Sequence, residues 1–529
     1  MRFASFVRFG KLRFKSGSGV SSRSSRRTKS GPTPLSLEQL ESRTLLSAGV
    51  PDTTFGNSGQ VFTSFPGYYA GAQDVAIGAD GKIVTVASGV TSTASAVDPA
   101  SIVLTRYNPD GGLDANFGQN GEVNTPVGVT WNTQRASQVA ILPDGHILVG
   151  TFADPTGAGG TPTNPYEFLL ARYNANGSLD SSFGNNGLVY TSLGNQGGPY
   201  NVFGAIAPAM AVQTDGKVLL GGNIGLGSGA FGMVRYNVDG TLDQSFGSGG
   251  VVETPWQNLG TGQEITALGV EADGTIVATG GNINGGSPFL LARYDSHGHL
   301  DASFGVGGQV TTYFPGLQGS NANALAIQPD GRILESGTVS TATGFYYGLV
   351  RHNTDGSPDT SFGTGGEVVT NPNAGGDFGA SLAVQPDGRI LLLQQQSLHT
   401  IVLARFNSDG SADASFGTAG TVTPQLPATV LNEGTQVRLQ PDGRIVVVGA
   451  TDAAAGSNFL LRYQGDQPPT IVTAPANLVA GNSFSVTITV DHLDGSIDTG
   501  YAGVIHFTSS DPQALLPPDY TFTSSDNGT

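Results

Sequence analysis

Residues Leu290–Gly308 read LLARYDSHGHLDASFGVGG, and Leu169–Gly187 read LLARYNANGSLDSSFGNNG. The shared phrase is an apolar run, an Arg before an aromatic ring, a turn built on Asn/Asp and Gly, and then Phe-Gly. Its three anchors recur seven times. Phe-Gly stands at Phe55, Phe117, Phe183, Phe246, Phe304, Phe362 and Phe416. Asp-Gly follows at Asp80, Asp144, Asp215, Asp273, Asp330, Asp387 and Asp442. Arg before a ring or His comes next, at Arg106, Arg172, Arg235, Arg293, Arg351, Arg405 and Arg462. The spacing from one Phe-Gly to the next is 62, 66, 63, 58, 58 and 54 residues, so insertions fall between fixed elements, as surface connections tolerate.

Within a unit the strands are legible. In LAIQPDGRILESG (Leu325–Gly337) two apolar runs flank Gln-Pro-Asp-Gly, where Pro presets the first turn position and Gly takes the left-handed one. RYNPDGGLD (Arg106–Asp114) supplies a second hairpin, and the segment after Phe-Gly, such as GQVTTY (Gly308–Tyr313), a fourth strand. Runs such as VLLGG (Val218–Gly222) and IVVVG (Ile445–Gly449) do not alternate, which implies sheets covered on both faces. Small four-stranded sheets stacked around an axis give that cover, so the expected fold is an all-β, seven-bladed propeller over 51–466.

The ends of the series discriminate a ring from an open stack. A three-residue turn at Pro109–Gly111 sets each Arg opposite the Asp eight residues on, and six such pairs are complete. Arg462 has no such Asp after it, and Asp52 has no Arg before it. The orphans predict that the strand near Asp52–Thr63 completes the sheet of Val437–Tyr463. Taken as exposed, each pair contributes about 0.2–1 kcal/mol, against roughly 1.5–3 kcal/mol for each buried Val, Leu or Ile. Apolar stacking is expected to hold the blades, with the ion pairs fixing register.

The repeated Arg-Tyr-Asn-x-Asp-Gly-x-Leu-Asp-x-x-Phe-Gly-x-x-Gly resembles the delta-60 repeat family of bacterial proteins. The resemblance covers about residues 51–466 and implies a β-propeller; it implies no particular activity.

The flanks differ in kind. Residues 1–50 are basic and Ser-rich, carrying +8 while the remainder carries −25 of the net −17, and read as a mostly disordered leader. Within it LEQLESRTLLSA (Leu37–Ala48) resembles a short signature near the N-termini of large exported bacterial proteins, with Glu-Ser-Arg in place of Glu-Pro-Arg. Residues 467–529 open on a Pro-marked linker, and SFSVTITV (Ser483–Val490) alternates in the manner of bacterial Ig-like modules. That stretch is shorter than the about 100 residues of an Ig sandwich. The expectation is an incomplete Ig-like β-sandwich from a longer protein.

Composition narrows the chemistry. The chain has no Cys, which removes disulfides, thiolate metal sites and thiol nucleophiles. The acidic body repels a phosphate backbone, so nucleic acid is not an expected partner. No apolar stretch approaches the roughly 18 residues that span a bilayer. Four local patterns carry candidate chemistry. The Asn-x-Asp-Gly-x-x-Asp turns (Asn108, Asp110, Asp114 and copies) resemble calcium loops, but Arg106 takes the first ligand's place, so they read as structural turns. His297 and His299 share one turn without a third His or Cys nearby. GSGAFG (Gly227–Gly232) matches Gly-x-Gly-x-x-Gly, but a strand follows it and not the helix of a nucleotide site. Trp131 and Trp256 lie between a Phe-Gly strand and the next hairpin, where they either stack on sugar rings or pack in the core.

No catalytic, cofactor-binding or metal-binding residue is assigned, and no cofactor is expected. The function expected is that of a non-catalytic exported or cell-surface scaffold, or a binding and adhesion module, for a protein or glycan at the cell surface. The alternative is an enzyme acting on extracellular polysaccharide at the central funnel.

Overall fold

In the computed structural model the chain divides into two compact units, Ala48–Gly465 and 1–47 together with 466–529. The described residues are 4–9, 470–473, 487–490, 504–509, 520–523 and a few isolated ones near the C-terminus. They also include 48–466, apart from 66–67, 92–99, 130–137, 154–166, 193–207, 225–229, 257–258, 260–261, 283–287, 317–318, 342–343, 371–380, 398, 427–431 and 452–456.

Unit Ala48–Gly465 is a seven-bladed propeller of four-stranded antiparallel blades. Blade 1 comprises Ala72–Ile77, Ile83–Thr91, Ala100–Tyr107 and Glu122–Val129. Blades 2 to 6 begin with Gln138–Ile141, Ala209–Val212, Gln263–Val270, Gly319–Ile327 and Ser381–Val384. In blade 7 the strands Asn432–Leu439, Ile445–Thr451 and Ser457–Tyr463 are completed by Gln60–Ser64 from the other end of the unit, with Gln60 opposite Leu461 and Ser64 opposite Ser457. The ring closes as the two orphans predict. Each blade's first strand touches the first strand of the next, including blade 7 to blade 1, so the first strands surround the axis.

The core lies between blades. Val84, Val86 and Leu104 of blade 1 pack on Val139, Val149 and Leu169 of blade 2. Val446 and Leu460 of blade 7 pack on Val75, Ile83 and Tyr107 of blade 1. Both faces of each sheet are thereby covered, and strands such as Ile276–Asn282 are buried at every residue. Burial of this kind is worth about 25 cal/mol per Å² of apolar surface.

The second unit has its own sheets: Thr470–Thr473 pairs with Thr487–Val490, and Val504–Ser509 lies between Ala4–Phe9 and Tyr520–Thr521. The Ig-like expectation falls largely on residues outside those described, as does the leader signature.

Candidate functional site

Strand alternation gives the ring two unlike faces. The connections joining first to second strands, five residues in every blade, and third to fourth strands, fourteen residues in blades 1 to 6, are constant in length and all emerge on one face, here the turn face. Second-to-third connections and the crossovers to the next blade begin and end on the opposite face, and there the length varies from two residues at 342–343 to more than a dozen at 154–166 and 193–207. We call this the loop face. Long, variable connections on a rigid scaffold are where binding residues concentrate.

The turn face is structural. Each of the seven Arg residues donates from its guanidinium to an Asp carboxylate, from Arg106–Asp114 at 2.8 Å to Arg405–Asp413 at 2.8 Å. The seventh pair is Arg462 Nε to Asp52 Oδ2 at 2.8 Å. These pairs are not the exposed register marks expected from spacing. Asp52 and Arg462 are 1% and 2% exposed. Each guanidinium lies over the Phe-Gly ring of its own repeat, with Arg462 4.4 Å from the Phe55 centroid. Six of them also donate to a turn carbonyl of the next blade, as Arg106 does to Ala175 and Arg462 to Pro109. The glycine of Phe-Gly adds a backbone bond to the same neighbouring turn, Gly118 N–H to Asn176 O at 2.8 Å. Glycine is required there: φ is +52°, and a Cβ would lie 2.0 Å from the carbonyl oxygen of Glu122.

A second base joins most of these pairs. The residue after Asp-Gly in the first hairpin reaches the same carboxylate, at 3.0 Å for Lys82–Asp114 and Lys217–Asp243 and 3.1 Å for Arg332–Asp359 and Arg444–Asp52. Arg389 and His146 do likewise in blades 6 and 2. Burial works against ionisation of Asp180, but the Ser182 hydroxyl and N–H and the Arg172 guanidinium outweigh it and hold the carboxyl down at about 2. Asp52 is depressed in the same way, by Thr54, Arg462 and Arg444.

These partners settle the local patterns. The Asn-x-Asp-Gly turns hold themselves: Asp110 Oδ1 accepts from Gly112 N–H at 2.9 Å, and Asp114 is taken by Arg106 and Lys82. His297 and His299 stack 6.3 Å apart on an exposed turn, and His299 Nδ1 lies 3.1 Å from Asp295. Among the described residues no group of three or more His, Asp or Glu is arranged to hold a metal. Ala230–Gly232 open a strand, so GSGAFG heads no helix. Trp256 is buried edge-on to Phe231 at 5.2 Å and is a core residue; Trp131 lies outside the described residues.

Two clusters escaped the repeat-level reading. On the inner strands the fourth residue before each hairpin Asp is Ala or Gly in blades 1 to 6, as at Ala76 and Gly269, but Arg438 in blade 7. Arg438 Nη2 donates to Asp74 Oδ1 at 3.0 Å across the ring-closing seam, and Asp74 Oδ2 accepts from Val139 N–H at 3.0 Å. Burial pushes the Asp74 carboxyl up, with Arg438 and two backbone N–H groups opposing. In blade 5, His352 replaces an aromatic ring that is Tyr in five other blades, and its Nε2 meets Glu335 Oε2 at 2.8 Å with neither side chain exposed. Thr279 of blade 4 donates to the other Glu335 oxygen. In blades 1, 3 and 4 the ring's Tyr hydroxyl makes the link to the preceding blade, Tyr107 to Thr63 at 2.8 Å, Tyr236 to Thr191 at 2.7 Å and Tyr294 to Thr254 at 2.9 Å. The signal for both clusters was a polar residue at a repeat position that is otherwise small or apolar.

No curated protein matches the chain in sequence. Among solved structures it is similar to the polysaccharide lyase Uly1, at 12% identity and TM-score 0.42, over 75% of this chain and 90% of that one. It is similar to a PL25 ulvan lyase bound to -[GlcA(1-4)Rha3S]-, at 11% and 0.43, over 80% and 95%. It is also similar to extracellular domains 1-2 of Drosophila Semaphorin 1b, at 9% and 0.39, over 78% and 87%. At such identities the likeness concerns the fold alone. The expectation that the chain is not an enzyme is corrected on this finding: the solved structures it is similar to include polysaccharide lyases. In sequence, segments 142–183, 213–246, 271–304, 328–362, 385–416 and 440–466 each match one family. What the chain matches, repeat by repeat, is the family described as a domain of unknown function (DUF5122) β-propeller.

Proposed function

We propose that the protein acts outside the cell as a glycan-binding propeller that takes its ligand on the loop face. The observation that supports this is the division of labour between the faces: the turn face is consumed by inter-blade bonds, whereas the loop face carries every connection that varies in length. At its axial end the inner strands carry the half-buried amides Gln73 and Gln138, groups of the kind that hydrogen-bond sugar hydroxyls, whereas Gln263 and Asn282 are buried. The export-type signature accords with an extracellular setting.

The chain's lack of Cys makes the test clean, since a single introduced thiol labels one place. Glu433→Cys, at an exposed position on the loop face, carrying a polyethylene glycol chain of several kilodaltons, should abolish binding on a glycan array. Val238→Cys, on an exposed turn of the opposite face and labelled in the same way, should leave it intact. Blocking by the second label and not the first overturns the reading.

A second reading, that this face also cleaves its glycan, has one observation in its favour. Asp74 is a carboxyl on an inner strand whose burial favours the protonated form that a general acid needs. Asp74→Asn should then abolish release of reducing ends while binding persists; release that continues unchanged removes Asp74 from any such role.

A further inference from the structure

The placement of positive charge says more about the ligand, given that it binds on the loop face as proposed above. We infer that the ligand is an uncharged, hydroxyl-rich glycan, because the propeller has spent its cations on the opposite face.

Residues 48–465 contain fourteen Lys and Arg. Seven are the arginines of the Arg–Asp pairs, and five, Lys82, Lys217, Arg332, Arg389 and Arg444, are the hairpin bases that reach the same carboxylates. All twelve lie on the turn face, held by Asp. Of the remaining two, Arg135 is outside the described residues. Arg438 is on an inner strand with its guanidinium bound to Asp74, Gln436 and the carbonyl of Val437. Against this, the loop-face ends of the strands present Glu167 and Glu433. A polyanion approaching this face of a chain with net charge −17 meets like charge and no described cation that is not already paired. Recognition of carboxylate or sulfate groups relies on Arg or Lys presented to the ligand. The half-buried polar groups near the axis include the amides of Gln73 and Gln138, which suit neutral hydroxyls.

The test measures binding of the full chain to a neutral β-glucan, a neutral mannan, alginate as polyanion and chitosan as polycation, each with and without the labelled Glu433→Cys variant. The expected result is binding of a neutral polymer, lost on labelling, with an affinity that changes less than about twofold between about 0.05 M and about 0.5 M NaCl, since screening has no charge pair to weaken. Binding of alginate that falls more than about tenfold over that range and is lost on labelling overturns the charge inference and leaves the loop-face reading standing. Chitosan binding alone, lost on labelling, does the same. Neutral-glycan binding that survives the label overturns the loop-face reading instead. Binding to none of the four overturns the glycan reading itself.

Discussion

Replacing Asp52 with Ala should lower the stability of the propeller by about 3–5 kcal/mol, the range for removing one partner of a buried ion pair. Asp52 accepts from Arg462, lies 3.1 Å from Arg444 and takes the Thr54 hydroxyl at 2.6 Å. Without it the Arg462 guanidinium, 2% exposed, loses its carboxylate, and Arg444 is left with Asp442. The position makes the loss worse than at Asp243→Ala, where the chemistry is the same. Asp243 sits within a continuous chain, whereas Asp52 precedes Gln60–Ser64, the strand whose pairing with Ser457–Tyr463 joins the start of the propeller to its end. Urea unfolding of Asp52→Ala and Asp243→Ala, followed by circular dichroism, compares them directly. A cost below about 1 kcal/mol, the value of an exposed pair, would show that water reaches the guanidiniums and that apolar stacking alone closes the ring. The same pairs fix the response to acid. Their folded carboxyls lie below the ~3.9 of an unfolded Asp, so their contribution is complete above that value. It is lost as pH falls through the folded one, about 2 at Asp180.

How much of this was legible in sequence follows from what repeats. The four strands, the seven units and the Asp52–Arg462 closure were readable because turn chemistry and an eight-residue spacing between opposite charges are local and recur. The reach of Arg106 to Ala175 was not, because it spans two repeats and depends on how one blade leans on the next. For that reason spacing alone reads the pairs as surface marks, whereas each Arg lies over a Phe ring and six of the seven also bond the next blade. Arg438–Asp74 and Glu335–His352 were hidden for the opposite reason: each occurs once, so no periodicity exposed it. The repeat positions of Arg438 and Glu335, small or apolar in the other blades, held the clue. The loop-face ligand site is the least legible, since it is built from connections that do not repeat at all.

Joining Gly465 directly to Ala48 in a head-to-tail cyclised propeller should raise its stability by on the order of 5 kcal/mol, with no new contact, by removing the closure entropy of a loop on the order of 400 residues. The bond fits because blade 7 already contains the turn in two pieces. Gly49 N–H donates to Gln464 O at 2.8 Å and Gln464 N–H to Val50 O at 2.8 Å, repeating Gly111 to Asn108 at 2.9 Å and Asn108 to Gly112 at 2.7 Å. Pro51 bridges Tyr463 as Leu113 bridges Tyr107, and Gly49 has the φ of Gly111, +90° in both. Read across the break, Arg462-Tyr463-Gln464-Gly465-Ala48-Gly49-Val50-Pro51-Asp52 superimposes residue for residue on Arg106-Tyr107-Asn108-Pro109-Asp110-Gly111-Gly112-Leu113-Asp114, so no linker is needed. A chain cyclised in this way and then reopened between Pro109 and Asp110 moves the break into blade 1 and should unfold at the midpoint of the linear Ala48–Gly465 chain. One reopened within Ala100–Tyr107 should not fold, because the cut falls inside a buried strand. If the cyclic chain gained nothing over the linear one, the ends would already be held as firmly as a covalent turn holds them, and ring closure would not be the weak point that the Asp52 prediction assumes.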